Sequence, residues 1–212
     1  MNPFPDRTRW VAWTFLALLA LLWTVAASVW PRFPGDVPLT LGLQALTGPN
    51  PAWANALTNT ARNPWFFLWV ALSMAVAFRL AGWRGAASAL VAFAILWSLD
   101  AVLKPVVARP RPTPDLIHVA GSARGFCYPS TFGVIYAGTF GFLGALAAVC
   151  APRPWQWLLP GAAIVLLVLG ASARIALGAH WPSDLAGSYL FGIVIVWPLV
   201  AFCRPKTGTP PP

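Results

Sequence analysis

Apolar residues gather in six long stretches, at about residues 10–30, 64–82, 86–103, 129–150, 155–173 and 183–203. A helix that crosses a bilayer needs roughly 20 mainly apolar residues, so each stretch is predicted as a membrane-spanning helix. The first begins at Trp10, after Arg7 and Arg9, and reads as an uncleaved signal anchor. Its apolar run exceeds the roughly 7–15 residues of a signal-peptide core. Trp30, Trp65, Trp83, Trp155 and Trp157 fall near predicted helix ends, where an indole buries its ring and keeps its N–H wet. Between the first two helices, residues 31–63 read as a long proline-rich loop. Its middle, Leu39 to Leu46, has the composition of a short helix lying flat at the interface. The pattern predicts one all-α, integral membrane domain of six helices over residues 1–203, followed by a disordered cytoplasmic tail, 204–212.

Composition narrows the class. Of 212 residues, 58% are apolar and 9% charged, and Glu is absent. So few charges cannot cover a water-soluble globule, which excludes a soluble enzyme, a disordered chain and a nucleic-acid-binding domain. The net charge of +9 therefore points to anionic lipid headgroups or an anionic substrate. Cys127, Cys150 and Cys203 show no paired spacing and indicate neither a metal site nor a disulfide framework. The cations divide seven against seven between the two sets of connecting segments. Setting aside Lys104, Arg111 and Arg174 as substrate ligands leaves seven against four, which puts both termini in the cytoplasm.

Three polar clusters bound the last four helices, and polar groups next to hydrocarbon are functional candidates. Lys104-Pro105 to Arg111-Pro112 sets a lysine at a helix end, followed by a stiff Arg-Pro-Arg-Pro run. Arginine forks bind phosphate bidentately and lysine adds a point charge. Asp100, four residues before Lys104, is the expected structural partner of that lysine. The second cluster, Cys127 to Phe132, opens a helix with Pro129, Ser130 and Thr131. Its first N–H groups make either an anion site or an ordinary cap. The third runs from Ser172 to Asp184: Arg174, then His180, Trp181, Pro182 and Asp184 in the first turn of the last helix. An Asp bonded to one imidazole nitrogen fixes the tautomer and leaves the other nitrogen as nucleophile or base. In the six-helix topology all three clusters open on one membrane face, an inventory suited to phosphoryl transfer.

These residues resemble the type 2 phosphatidic acid phosphatase family, the membrane branch of the vanadium haloperoxidase-like fold, over residues 64–203. The family motifs run Lys-x6-Arg-Pro, Pro-Ser-Gly-His and Ser-Arg-x5-His-x3-Asp. Lys104 to Arg111-Pro112 matches the first, and Arg174, His180 and Asp184 match the third, with Ala173 in place of Ser. The resemblance implies that Lys104, Arg111 and Arg174 bind phosphate and that Ser130 and Thr131 cradle it at the helix start. It further implies that His180 attacks phosphorus to form a phosphohistidine, oriented by Asp184, with no metal and no cofactor.

The second motif departs: Thr131 stands for its glycine and Phe132 for its histidine, which acts in the family as a general acid. Losing such an acid costs roughly 10²–10⁴ in rate. Three accounts stay open: a leaving group that needs no acid, which favours a polyprenyl diphosphate; His118 as a substitute acid; or a catalytically weak lipid-phosphate binder or carrier. The expected protein is a multi-pass cell-membrane lipid phosphate or diphosphate phosphatase, or a phosphotransferase. Its active site lies on the extracytoplasmic face, and its partners are the phosphorylated lipid substrate and membrane lipids, not nucleic acid. Oligomeric state is not legible.

Overall fold

The computed structural model describes residues 6–121 and 124–204. The predicted tail therefore lies outside the described residues except for Arg204, and so does Lys206, one of the seven cations counted on the cytoplasmic side. Among the described residues the chain is all helix and loop: α1 (Asp6–Val29), α2 (Asp36–Thr47), α3 (Ala52–Asn59), α4 (Trp65–Val107), α5 (Thr131–Tyr136), a π-helical turn (Ala137–Gly141), α6 (Phe142–Cys150), α7 (Trp155–Ala176) and α8 (Pro182–Phe202). Among the described residues five helices, counting α5 to α6 as one, are long and apolar enough to cross a membrane.

Two predicted spans are merged in α4, whose 43 residues would stretch about 65 Å if straight. The helical path breaks at Ala81 and Gly82, where Gly82 takes φ 61°, a left-handed conformation that favours glycine. The chain folds back there, because the rings of Phe66 and Trp97 lie 5.2 Å apart. On a straight helix those residues would be separated by more than 40 Å. Small residues let the arms close: Ala77, Ala89 and Ala92 pack with Phe142 and Leu146 of α6 and Val196 and Val200 of α8. α1 runs antiparallel to α8, with Trp13 Nε1 donating to the Val194 carbonyl and Trp23 Nε1 to that of Ser183. The five tryptophans expected as interface anchors are all exposed.

The segment 31–63 holds the short helix expected at Leu39 to Leu46, as α2, and a second helix, α3, where loop was expected. α2 inverts the usual logic of an amphipathic helix, since Asp36, Thr40 and Gln44, spaced by four, form a buried polar stripe, while Leu39, Leu41 and Leu46 are exposed. Gln44 Nε2 donates to the carbonyls of His118 and Ala176, and its Oε1 accepts from the His118 N–H. α3 packs Ala54 against Ala173 and Leu177 at the end of α7. These two helices roof the end of the bundle where α7 meets α8.

Candidate active site

The carboxyl end of α4, the amino end of α5, the carboxyl end of α7 and the amino end of α8 all meet under this roof. His180 follows the left-handed Gly178 in the short link between α7 and α8 and is only 2% exposed. Pro182 opens α8 as predicted, and Asp184, fully buried, closes a capping arrangement by accepting the Trp181 N–H at 2.9 Å. The expected His180–Asp184 partnership is present but shared. His180 Nδ1 lies 3.6 Å from Asp184 Oδ2 and 3.5 Å from Cys127 Sγ, while the Cys127 thiol donates to the same oxygen at 2.6 Å. Burial pushes the Cys127 thiol up, so it keeps its proton and serves as that donor. On the other side of the ring, Nε2 faces Arg111 Nη1 at 3.4 Å. A guanidinium has no acceptor, so this nitrogen keeps its lone pair toward Arg111 and the proton sits on Nδ1.

Burial, reinforced by Arg174 and Arg111 and opposed by Asp184, lowers the His180 pKa from 6.5 to about 3. The imidazole is neutral at pH 7. The sign for stability follows: the unfolded chain takes up this proton below about 6.5, whereas the folded chain resists until about 3. The stability contributed by the neutral His180 is whole above pH 6.5 and is lost progressively as pH falls toward 3. In thermal melts between pH 7 and 5, the fall in Tm is expected to be shallower for His180→Ala than for the wild type.

Arg109 and Arg111 separate sharply. Arg111 donates from Nε to the Gly125 carbonyl and from Nη1 to that of Ala179, which sets its guanidinium against His180. Arg109 turns the opposite way and is 1% exposed. It binds Asp184 Oδ1 at 2.5 Å, Asp36 Oδ2 at 3.1 Å and the Ser183 hydroxyl at 2.8 Å, with its guanidinium over the Phe33 ring. Asp36 also accepts the Ser183 N–H and hydroxyl, so helix α2 is fastened to the start of α8. Sequence reasoning missed Arg109, Asp36 and Cys127 as parts of the site. Two signals were available: alternate residues of an extended run point to opposite sides, and Asp36, Thr40 and Gln44 recur at helical spacing.

At the start of α5, Lys104 Nζ pairs with Asp100 at 2.7 Å, as expected, and donates to the Pro129 carbonyl. Thr131 Oγ1 donates to the other Asp100 oxygen. Ser130 is fully buried and caps α5: its Oγ accepts from Gly133 N, and its own N–H goes to Ser188 Oγ. Arg174 Nη1 reaches Thr58 Oγ1 at 3.5 Å, and its Nε is buried with no partner among the described residues. Phe132 lies beneath it, with the Arg174 guanidinium 5.9 Å from the ring centroid and Tyr136 stacked at 4.1 Å. The ring fills the space over Gly170, where a Cβ would come within 2.6 Å of it. His118 is not brought to the site: Gln44 pins its backbone, and its side chain is exposed.

Cys127, His180 and Asp184 offer three metal-type ligand atoms within 4.8 Å of one another. Their donors and acceptors are already matched among themselves and with Arg109 and Trp181. A dication there would also sit between Arg109 and Arg111. The trio reads as a hydrogen-bonded support for the imidazole.

The comparisons agree with this architecture. A crystal structure described as the first transmembrane PAP2-type phosphatidylglycerolphosphate phosphatase from Bacillus subtilis superposes with a TM-score of 0.70 at 18% identity, covering 90% of this chain and 94% of that one. At that identity the likeness establishes the fold. No curated protein matches the sequence. The family model described as PAP2 superfamily matches residues 83–207, more than half of the chain and all three polar clusters, and the protein belongs to that superfamily.

Proposed function

We propose that this protein is a membrane lipid phosphate phosphatase that works through a phosphohistidine on His180. The observation that carries this reading is the pairing at the imidazole: Cys127 and Asp184 lie behind Nδ1, and Arg111 lies before Nε2. A neutral nucleophilic nitrogen thus faces a cation suited to an incoming phosphoryl group. Lys104, Arg111 and Arg174 are assigned to the phosphate oxygens, with the amino end of α5 at Ser130 and Thr131 completing the cradle. Asp184 holds the imidazole and balances the charge it acquires on phosphorylation. Counting the two arms of α4 separately gives six crossings in a domain over residues 1–203. By the cation count, both termini are cytoplasmic and the site is extracytoplasmic.

The preferred substrate is a polyprenyl diphosphate, because Phe132 cannot donate the proton that a lipid alkoxide needs on leaving. A departing phosphate monoester, with its last pKa near ~6, needs none. Phosphate release by purified protein in detergent, from lipid monophosphates and diphosphates, tests the reading; equal release by wild type and His180→Ala would remove it. Phe132→His is expected to raise the rate on monophosphates more than on diphosphates. An equal response on both would defeat the leaving-group argument. Phe132 also favours a second reading, a lipid-phosphate binder or carrier with little turnover.

A further inference from the structure

Arg111 and Arg174 lie beside His180, and Arg62 lies beyond them, beside Arg174. Arg174 lies within electrostatic reach of both Arg111 and Arg62. Every ion pair among the described residues uses Lys104, Arg109 or His180, so Arg62, Arg111 and Arg174 have no carboxylate partner among those residues. Arg174 and Arg62 line a polar cavity of about 150 Å³ with Asn55, Thr58, Leu177 and Ala179. That is room for about five waters, enough for a phosphate group. The Ala179 carbonyl accepts from Arg111, so this cavity shares a wall with the His180 site. The unpartnered buried Nε of Arg174 marks a place where an acceptor is missing. Arg62 sits on the link between α3 and α4, outside the three motif clusters and outside residues 83–207.

We propose that this cavity is a second phosphate subsite, in which Arg62 holds the phosphate that departs when a lipid diphosphate is cleaved. The inference rests on the phosphatase reading of the same site and gives its diphosphate substrate a second point of binding. His180 Nε2 forms a bond to the terminal phosphorus, and the bond from that phosphorus to the bridging oxygen breaks. The electron pair stays on the bridging oxygen, which leaves as the lipid monophosphate with its negative charge against Arg62. Water then attacks the phosphohistidine, both of its protons leave on inorganic phosphate, and the imidazole is restored. Arg62 thus stabilises by charge what a histidine at position 132 would stabilise by proton transfer.

Two measurements test this, one of them independent of turnover. With a prenyl diphosphate and the matching monophosphate, Arg62→Gln is expected to lower kcat/KM for the diphosphate by about 10- to 100-fold and for the monophosphate by less than about twofold. Arg62→Lys is expected to recover part of the loss. An equal fall on both substrates, or none on the diphosphate, overturns the subsite. In thermal melts, inorganic pyrophosphate is expected to stabilise the wild type more than inorganic phosphate does, and Arg62→Gln to remove that difference. Equal stabilisation of the wild type by the two anions likewise overturns the subsite. If wild type and His180→Ala release equal phosphate, the phosphatase reading falls, while the pyrophosphate melt still decides whether the cavity binds a diphosphate.

Discussion

His180→Ala is expected to lower phosphate release by roughly 10⁴-fold or more, leaving the background that positive charge and binding supply without a nucleophile. The reason is geometric. Arg111 is the only described side chain hydrogen-bonded to Nε2, so no neighbour stands ready to attack in its place. The variant should still fold, since the capping bond from Trp181 N to Asp184 and the Arg109 pair do not involve the ring. Asp184→Asn should do less damage to chemistry than His180→Ala but more to folding, because it weakens the pair with Arg109 at the same time. A phosphorylated intermediate trapped by rapid quench, acid-labile as a phosphoramidate is, should appear in the wild type and be absent from His180→Ala. Appearance of the same adduct in His180→Ala would place the nucleophile elsewhere.

Arg109→Leu is expected to be the most damaging substitution to folding. It strands Asp36 and Asp184, 2% and 0% exposed, without their shared cation. Removing one partner of a buried pair costs about 3–5 kcal/mol, a large part of the roughly 5–15 kcal/mol that holds a typical domain together. Yield of monodisperse protein in detergent and its Tm are the measurements, with Arg111→Leu as the control. Arg111 contacts carbonyls at the mouth of the site, so its loss should spare Tm and reduce phosphate release. If Arg109→Leu melts like the wild type and only activity falls, Arg109 is a phosphate ligand and the structural assignment fails. Arg109→Lys should not rescue folding fully, because an ammonium lacks the fork that spans both carboxylates.

The apolar stretches were legible because hydrocarbon leaves a helix little freedom: length and hydropathy alone predicted every long helix within a few residues. Lys104–Asp100 was legible for a similar reason, since four residues on a helix bring two side chains together whatever lies around them. Pro182 at the start of α8 and the position of Asp184 in its first turn followed from local capping chemistry. Helix α3 is not legible because its eight residues are short and sit among prolines, and α2 is legible only as a short helix from Leu39 to Leu46; its buried face is not, because it hides its polar residues and exposes its leucines. That reversal stabilises the helix only when Arg109, Ser183 and the His118 backbone are in place to receive Asp36 and Gln44.

Apolar run length and hydropathy suffice for an all-helical membrane chain, and motif spacing suffices to expect His180, Asp184 and nearby cations at one end of it. Those properties depend on the solvent and on spacings of a few residues. Only the packed chain shows which of two neighbouring arginines supports the fold, that a cysteine shares the aspartate oxygen with His180, and that Arg62 joins Arg174 across a cavity. Each of those facts depends on residues between about 50 and 150 positions apart. No local pattern encodes such a pairing; it arises when burial forces each charged group to find a partner among the few the packing brings within reach.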